Sequence, residues 1–178
     1  VLETLNVNMV EISMCVRTDG TEKPLPEGAE LLSDNGVSLV YRGHDGWIYK
    51  RSTPFLTENE IYFLEKLSAT GYVPTAVRYD KYTVAMSDLG TSQEVTDEEA
   101  FTDHCMAFLN ILQITGIRHG DLTEYAVIVK KNRPFFIDWA EARCKYDPRP
   151  AKRLGGDQKW LKNTIQKLTS HLTTQDSR

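Results

Sequence analysis

Little in this sequence points to a disulfide scaffold, a metal cage or a membrane span. Of 178 residues only three are cysteine, Cys15, Cys105 and Cys144, widely separated and without a C-x-x-C pair. An odd, scattered set of this kind argues against a disulfide framework or a zinc site. The four histidines are equally dispersed, and His44 and His104 have no partner at metal-ligand spacing. His171 falls in a terminal helical pattern and reads as surface. The longest apolar stretches, residues 126–129 and 135–137, are far too short to cross a bilayer. The first residues, VLETLNVNMVEI, carry acids and no basic n-region, so no signal peptide is expected and a soluble, cytoplasmic chain is. A formal charge of −4 gives no reason to expect a nucleic-acid or membrane partner.

What is present is an ordinary globular composition, 40% hydrophobic and 10% aromatic, enough to build a core in one domain or two small lobes. The N-terminal half reads as strands. Residues 7–16 alternate loosely, and 18–28 are turn-rich. Three short strands follow at 29–32, 37–41 and 47–50, separated by Asp34-Asn35-Gly36 and by Gly43-His44-Asp45-Gly46. Thr57-x-x-Glu60 has the form of a capping box, with Ile61, Leu64 and Leu67 at helical spacing before Gly71 ends the helix. Two more strands are expected at 73–79 and 82–86.

Residues 87–90 are polar and turn-like, a plausible boundary. Thr96-x-x-Glu99 offers a second capping box, opening a helix whose Phe101, Cys105, Phe108, Leu109 and Leu112 share one face. Cys105 on that face is most simply a buried small hydrophobe. After a proline- and lysine-rich connector, residues 157–172 form an amphipathic helix carrying Leu161, Ile165, Leu168 and Leu172. Strands with one helix among them, then a helix-rich half, make an α+β layout in two lobes.

The segment GIRHGDLTEYAVIVKKNRPFFIDWAEA, residues 116–142, carries the chemistry. His119, Gly120, Asp121 and Leu122 form a short polar loop. Strand-like residues 127–129, a basic turn at 130–133 and strand-like residues 135–137 then lead to Asp138. Two carboxylates at the ends of a tight hairpin match protein-kinase-like phosphotransferases: the first receives the acceptor hydroxyl, the second holds the metal on the nucleotide phosphates. Taken alone, Asp121 could equally cap the amides of a turn. The pattern H-x-D-L-x-x-x-N calls for asparagine where this chain has Ala126.

The run His119-Gly120-Asp121-Leu122-Thr123-Glu124-Tyr125 resembles the catalytic loop of the RIO family of atypical kinases, in which D-L-S-E-Y-N is typical. The segment Gly36-Val37-Ser38-Leu39-Val40-Tyr41-Arg42-Gly43 resembles the nucleotide-covering loop of the small kinase of the KEOPS complex, which also has a pair like Lys50-Arg51. The likeness runs from about Ala29 to Leu168. It implies a minimal two-lobed protein-kinase-like fold: an antiparallel N-lobe sheet with one helix, and a reduced helical C-lobe. Residues 1–28 would be an extension or added strands, 29–86 the N-lobe, 87–90 the hinge and 91–178 the C-lobe. It also implies ATP with Mg2+ or Mn2+ as cofactors, Asp121 as the catalytic residue and Asp138 as the metal ligand.

Carried over in the same way, Lys50 would contact the α/β-phosphates, with an exposed strand-end lysine as the bland alternative. Glu60 would position that lysine, unless it only closes its capping box, with Glu58 the nearest substitute. Asn35, Gly36 and Ser38 would line the nucleotide loop, which lacks the three glycines of G-x-G-x-x-G. Met86, Ser87 and Leu89 would form the hinge against adenine, or an ordinary connector. Asp157 would brace the catalytic loop or cap its own helix. The implied activity is phosphoryl transfer from ATP to a Ser/Thr hydroxyl or to water, impaired by Ala126. The protein substrate or partner is unspecified by the sequence. A pseudokinase acting as a nucleotide-dependent binding module is one alternative. A small-molecule phosphotransferase of the aminoglycoside or choline kinase type is another.

Overall fold

The structure, a computed structural model, describes residues 19–144, 147 and 156–173. The strand expected within residues 7–16, Cys15 and most of the connector lie outside the described residues. Among the described residues, strands β1 (Glu30–Asp34), β2 (Leu39–Arg42), β3 (Trp47–Arg51), β4 (Ala76–Arg78) and β5 (Thr83–Ser87) form one antiparallel sheet in the order β1-β2-β3-β5-β4. Helix α1 (Pro54–Leu67) crosses between β3 and β4 and packs on β4 and β5. Residues 19–28 contain no strand. Instead they lie over the β4–β5 end of the sheet, where Tyr79 Oη donates to Pro24 O at 2.6 Å and Arg51 Nη2 to Lys23 O at 2.9 Å.

Register decides what the sheet presents to the second lobe. Directly opposed residues of antiparallel strands share a face. Val40 and Val84 flank Lys50, while Arg42 and Met86 flank Ile48. That largely apolar face therefore carries two cations, Lys50 between the valines and Arg42 beside Ile48.

The start of α1 differs from the sequence reading. Thr53 is the N-cap, accepting from Leu56 N, and Pro54 occupies the first turn, where its missing N–H costs nothing. Thr57 lies inside the helix, fully buried, with its hydroxyl 3.0 Å from Ser52 Oγ. Thr57 and Glu60 thus form no capping box, and Glu60 is released for another role. In the second lobe, helix α2 (Glu98–Thr115) is capped by Asp97, which accepts from Ala100 N at 3.0 Å. Thr96 instead donates its N–H and hydroxyl to Asn132 Oδ1. The other expected edges fall within three residues of where they are observed.

After α2 the chain forms β6 (Ile117–Arg118), a 3-10 turn at Glu124–Ala126, β7 (Val127–Lys130) and β8 (Arg133–Phe136), then β9 (Arg143–Cys144) and α3 (Gly156–Thr173). The β7–β8 hairpin turns through Lys131 and Asn132, both left-handed (φ 49° and 59°), the geometry that matches strand twist. Phe101, Cys105, Phe108, Leu109 and Leu112 of α2 are all buried, as their shared face predicts. Phe108 stacks on Phe136 with centroids 4.1 Å apart, and Trp139 meets Phe108 edge-on. The result is the expected α+β arrangement, an antiparallel N-lobe sheet over a small helical C-lobe. Phe108→Ala should cost about 3–5 kcal/mol, lowering the melting midpoint by roughly 10 °C for a domain of this size. A shift of only a degree or two would contradict this account of the core.

Candidate active site between the lobes

A cleft of about 340 Å³ lies between the sheet and the β7–β8 hairpin, within the range of small-ligand pockets. Its roof is the sheet face just described: Val40, Arg42, Ile48, Lys50 and Met86. Its floor includes Ile128, Ile137 and Asp138.

Lys50 is buried in this cleft, with Nζ 2.8 Å from Glu60 Oε2 and 2.5 Å from Asp138 Oδ1. An ammonium is compact and flexible on its stem, so it can hold two carboxylates from different lobes at once. Burial pulls the pKa of Lys50 down, but the charges of Glu60 and Asp138 outweigh it and hold the ammonium above its usual range. Burial pushes the Glu60 carboxyl up, and Lys50 and the Trp139 N–H pull against it. Glu60 Oε1 accepts that N–H at 3.2 Å. Glu58, by contrast, faces outward and pairs with Arg78.

Asp138 follows β8 by two residues and adopts φ 66°. A non-glycine residue pays about 1–2 kcal/mol for that conformation, so its neighbours must hold it there. On one side Ile137 N donates to Ala126 O at 2.9 Å, continuing the hairpin. On the other, Trp139 is fully buried, its indole N–H donating to Phe136 O at 2.9 Å. The Asp138 side chain itself is 51% exposed.

The loop carrying Asp121 is held from below. His119 is fully buried, and its Nε2 donates to Ile137 O at 2.8 Å, leaving Nδ1 to accept from Asp121 N at 3.3 Å. Burial holds its pKa below the ordinary value, although the Ile137 carbonyl and the charges of Asp157, Asp138 and Asp121 oppose that shift. The ring is therefore neutral, as the one-donor, one-acceptor pattern requires. Asp157, in the first turn of α3, accepts from His119 N at 2.7 Å and Gly120 N at 2.9 Å. Of the two roles open to it from sequence, this geometry is the brace. Thr164 adds a hydroxyl donated to Leu122 O at 2.8 Å.

Of the residues singled out from sequence, Lys50, Glu60, Asn35, Ser38, Met86, Ser87, Leu89 and Asp138 line the cleft. Gly36 sits beside them at the loop tip with φ 74°, and Asp121 lies outside the lining, in the loop that His119 and Asp157 support. The turn between β1 and β2 is closed on itself. Asn35 Oδ1 accepts from Val37 N at 3.0 Å and Ser38 N at 2.8 Å, while Gly36 N donates to Asp34 Oδ1 at 2.9 Å. These amides are engaged within the turn instead of pointing into the cleft. Just beyond β5, Arg42 Nε donates to Asp88 Oδ2 at 2.8 Å, joining the roof strand to the connector. Sequence reasoning missed that pair and also Asn59, whose amide donates to Ala140 O at 2.8 Å and Ala142 O at 2.9 Å, because the partners lie 46 and about 80 residues away.

The carboxylates present suit a metal that arrives with a nucleotide. No group of three or more His, Cys, Asp or Glu side chains among the described residues could hold an ion alone. Magnesium, however, is usually bound by one or two carboxylates, water and the substrate's phosphates. Asp138, exposed in the cleft beside a lysine, meets that requirement.

A two-lobed cleft with a buried lysine–glutamate pair and a hairpin aspartate is the arrangement of the protein-kinase-like superfamily. Within it, this chain belongs to the RIO-domain family: the family model for the RIO domain matches residues 46–177. The match begins beyond the turn between β1 and β2. The chain is similar in fold to the Rio2 kinase from Chaetomium thermophilum (TM-score 0.57, 16% identity, 74% of this chain and 53% of that one). The Rio2 kinase-ADP/Mg2+-phosphoaspartate complex from the same organism gives a TM-score of 0.54 at 14% identity, over 88% of this chain and 56% of that one. The chain thus spans about half the length of these Rio2 structures. A streptomycin-ATP-APH(2")-IIa complex matches at a TM-score of 0.46 and 13% identity, covering 80% of this chain and 78% of that one, too distant to carry an argument. No curated protein matches the chain. No helix among the described residues is long and apolar enough to cross a membrane.

Proposed function

We propose that this chain binds ATP with Mg2+ or Mn2+ in the inter-lobe cleft, and that its parent activity is transfer of the γ-phosphoryl group to a Ser/Thr hydroxyl or to water. The observation carrying this reading is the buried Lys50, held by Glu60 from α1 and by Asp138 from the hairpin. A buried ammonium between carboxylates of two lobes is costly to assemble for stability alone, but it suits a site that receives a polyanion. The RIO-domain match and the ADP/Mg2+ named for the Rio2 complex agree with it.

In this reading Met86, Ser87 and Leu89 receive the base, while Lys50 contacts the phosphates. Asn35, Gly36 and Ser38 cover them. Asp138 would hold the metal, which when bound offsets the charge on the transferred group. Asp121 orients the acceptor hydroxyl and takes its proton late, as the acceptor oxygen bonds phosphorus and the bond to the β-phosphate oxygen breaks to leave ADP. Residues 29–86, 87–90 and 91–178 would serve as N-lobe, hinge and C-lobe, and the likeness of the nucleotide loop to the small KEOPS kinase belongs to the same proposal. A cytoplasmic location is proposed with it.

A second reading, a pseudokinase that binds nucleotide without turnover, is favoured by two features. Ala126 stands where the pattern calls for asparagine, and the nucleotide-loop amides are engaged within their own turn. Because those amides are occupied, Lys50 bears more of the phosphate contact. Lys50→Met keeps most of the stem and removes the charge. It should weaken ATP binding about tenfold or more, a charge-assisted contact contributing ~1.5–3 kcal/mol, while adenosine binding changes little. Calorimetric titration with both ligands measures this, and equal weakening of the two would assign Lys50 a structural role.

A further inference from the structure

The turn that follows Asp138 contains buried backbone with few partners in regular structure. Trp139 and Ala142 are fully buried and Ala140 nearly so, and their carbonyls belong to neither helix nor strand. Buried carbonyls need donors. Ala142 N donates to Trp139 O at 3.0 Å, and one side chain supplies the other two: Asn59 Nδ2 donates to Ala140 O at 2.8 Å and Ala142 O at 2.9 Å, and lies 3.5 Å from Trp139 O. The three carbonyls also settle the amide's orientation, because its oxygen would be repelled there.

The next residue on α1 is Glu60, which grips the same turn with the opposite polarity by accepting Trp139 N–H at 3.2 Å. Consecutive residues of one helix thus hold both the donors and the acceptors of the segment that starts beside Asp138. Asp138 needs such support, since its left-handed backbone (φ 66°) is unfavourable for a non-glycine residue.

We propose that Asn59 is a positioning residue for Asp138: by tying α1 to the turn at residues 139–142 it fixes the backbone that aims the Asp138 carboxylate into the cleft, and so couples the placement of α1 to metal-dependent nucleotide binding. This rests on the nucleotide-binding reading above. Glu60 couples α1 to Lys50 and, through Trp139 N–H, to the first residue of the turn. Asn59 extends that hold to the far end of the turn, and its role is distinct from that of the lysine because its side-chain hydrogen bonds go to the turn's carbonyls and it does not itself line the cleft.

The test uses the whole chain and three ligands measured by calorimetry: ATP with magnesium, ATP with chelator, and adenosine. Asn59→Ala should weaken magnesium-ATP binding by about tenfold or more, the usual penalty for losing a residue that orients a metal ligand. It should leave adenosine affinity within about twofold. Asn59→Gln, which keeps the donor, should recover part of the loss. Thermal melting of each variant accompanies the titrations. If Asn59→Ala does not fold, Asn59→Ser, whose single short donor does not span the carbonyls, carries the same comparison. Equal weakening of adenosine and magnesium-ATP, or unchanged magnesium-ATP affinity while the unaltered chain binds it, overturns the inference alone. Failure of the unaltered chain to bind magnesium-ATP overturns the inference and the function it rests on together.

Discussion

Ala126→Asn is expected to raise phosphoryl transfer by about a hundredfold or more, because a ligand acting in the transition state contributes several kcal/mol. Ala126 is 4% exposed and ends the 3-10 turn behind Asp121. Its carbonyl accepts Ile137 N at 2.9 Å, so position 126 lies across the hairpin from the residue preceding Asp138. On the proposed function, an asparagine at this position would supply what the loop pattern calls for, a side-chain oxygen for the metal and an amide to steady the base. The expectation requires the remaining parts to be in place: Asp121 as base, Asp138 on the metal and Lys50 on phosphate. Autophosphorylation followed by mass spectrometry, and phosphate release, should be measured beside Asp121→Ala. A restored chain that binds ATP but turns over no faster than that control would establish the pseudokinase reading. One that does not bind ATP would reduce the RIO likeness to a likeness of fold.

The second large effect is expected at Asp138. Asp138→Ala should abolish magnesium-dependent ATP binding while leaving the fold intact, since the side chain is 51% exposed and Lys50 retains Glu60. Alanine at a left-handed position adds a cost of about 1 kcal/mol. Asp138→Asn is therefore the cleaner comparison, because asparagine tolerates that conformation and removes only the charge. Both variants should lose the magnesium dependence. Undiminished affinity in Asp138→Asn, with an unchanged melting midpoint, would remove the metal role and with it the kinase-type chemistry. Glu60 has a different expected profile. Deleting one partner of a buried pair strands the other and costs ~3–5 kcal/mol, so its loss should appear first in stability.

Much of this was visible in local sequence. The apolar face of α2 follows from Phe101, Cys105, Phe108, Leu109 and Leu112 at helical spacing, and the β7–β8 hairpin from two short apolar runs around a basic turn. Both are dictated by residues within a few positions of one another. The helix starts were less legible. Two S/T-x-x-E patterns stood at Thr57 and Thr96, yet the caps are Thr53 and Asp97. At α1 the proline after Thr53 set the first turn, and tertiary packing took Thr57 against Ser52 and Glu60 against Lys50. At α2 the Asn132 side chain claimed Thr96, leaving the cap to the next residue.

The site divides along the same line. His119, Asp121 and Asp138 stood out because they lie within one hairpin-bearing segment. Lys50 and Glu60 needed the family resemblance, and only the fold shows that their charges meet. Asn59 gave no sequence signal, since an asparagine within a helix has no motif and its carbonyl partners lie about 80 residues downstream. The engaged amides of the nucleotide loop were likewise hidden. Whether Asn35 turns its oxygen toward Val37 and Ser38 depends on local geometry that composition does not specify.

The central claim is that the cleft between the lobes takes ATP through a metal. Calorimetric titration of the unaltered chain with ATP, once with magnesium and once with chelator, tests it most directly. The account predicts saturable one-site binding that weakens by about tenfold or more when magnesium is removed, the order of effect expected from losing one charge-assisted contact. No detectable heat of binding under either condition, or the same affinity in both, would contradict it.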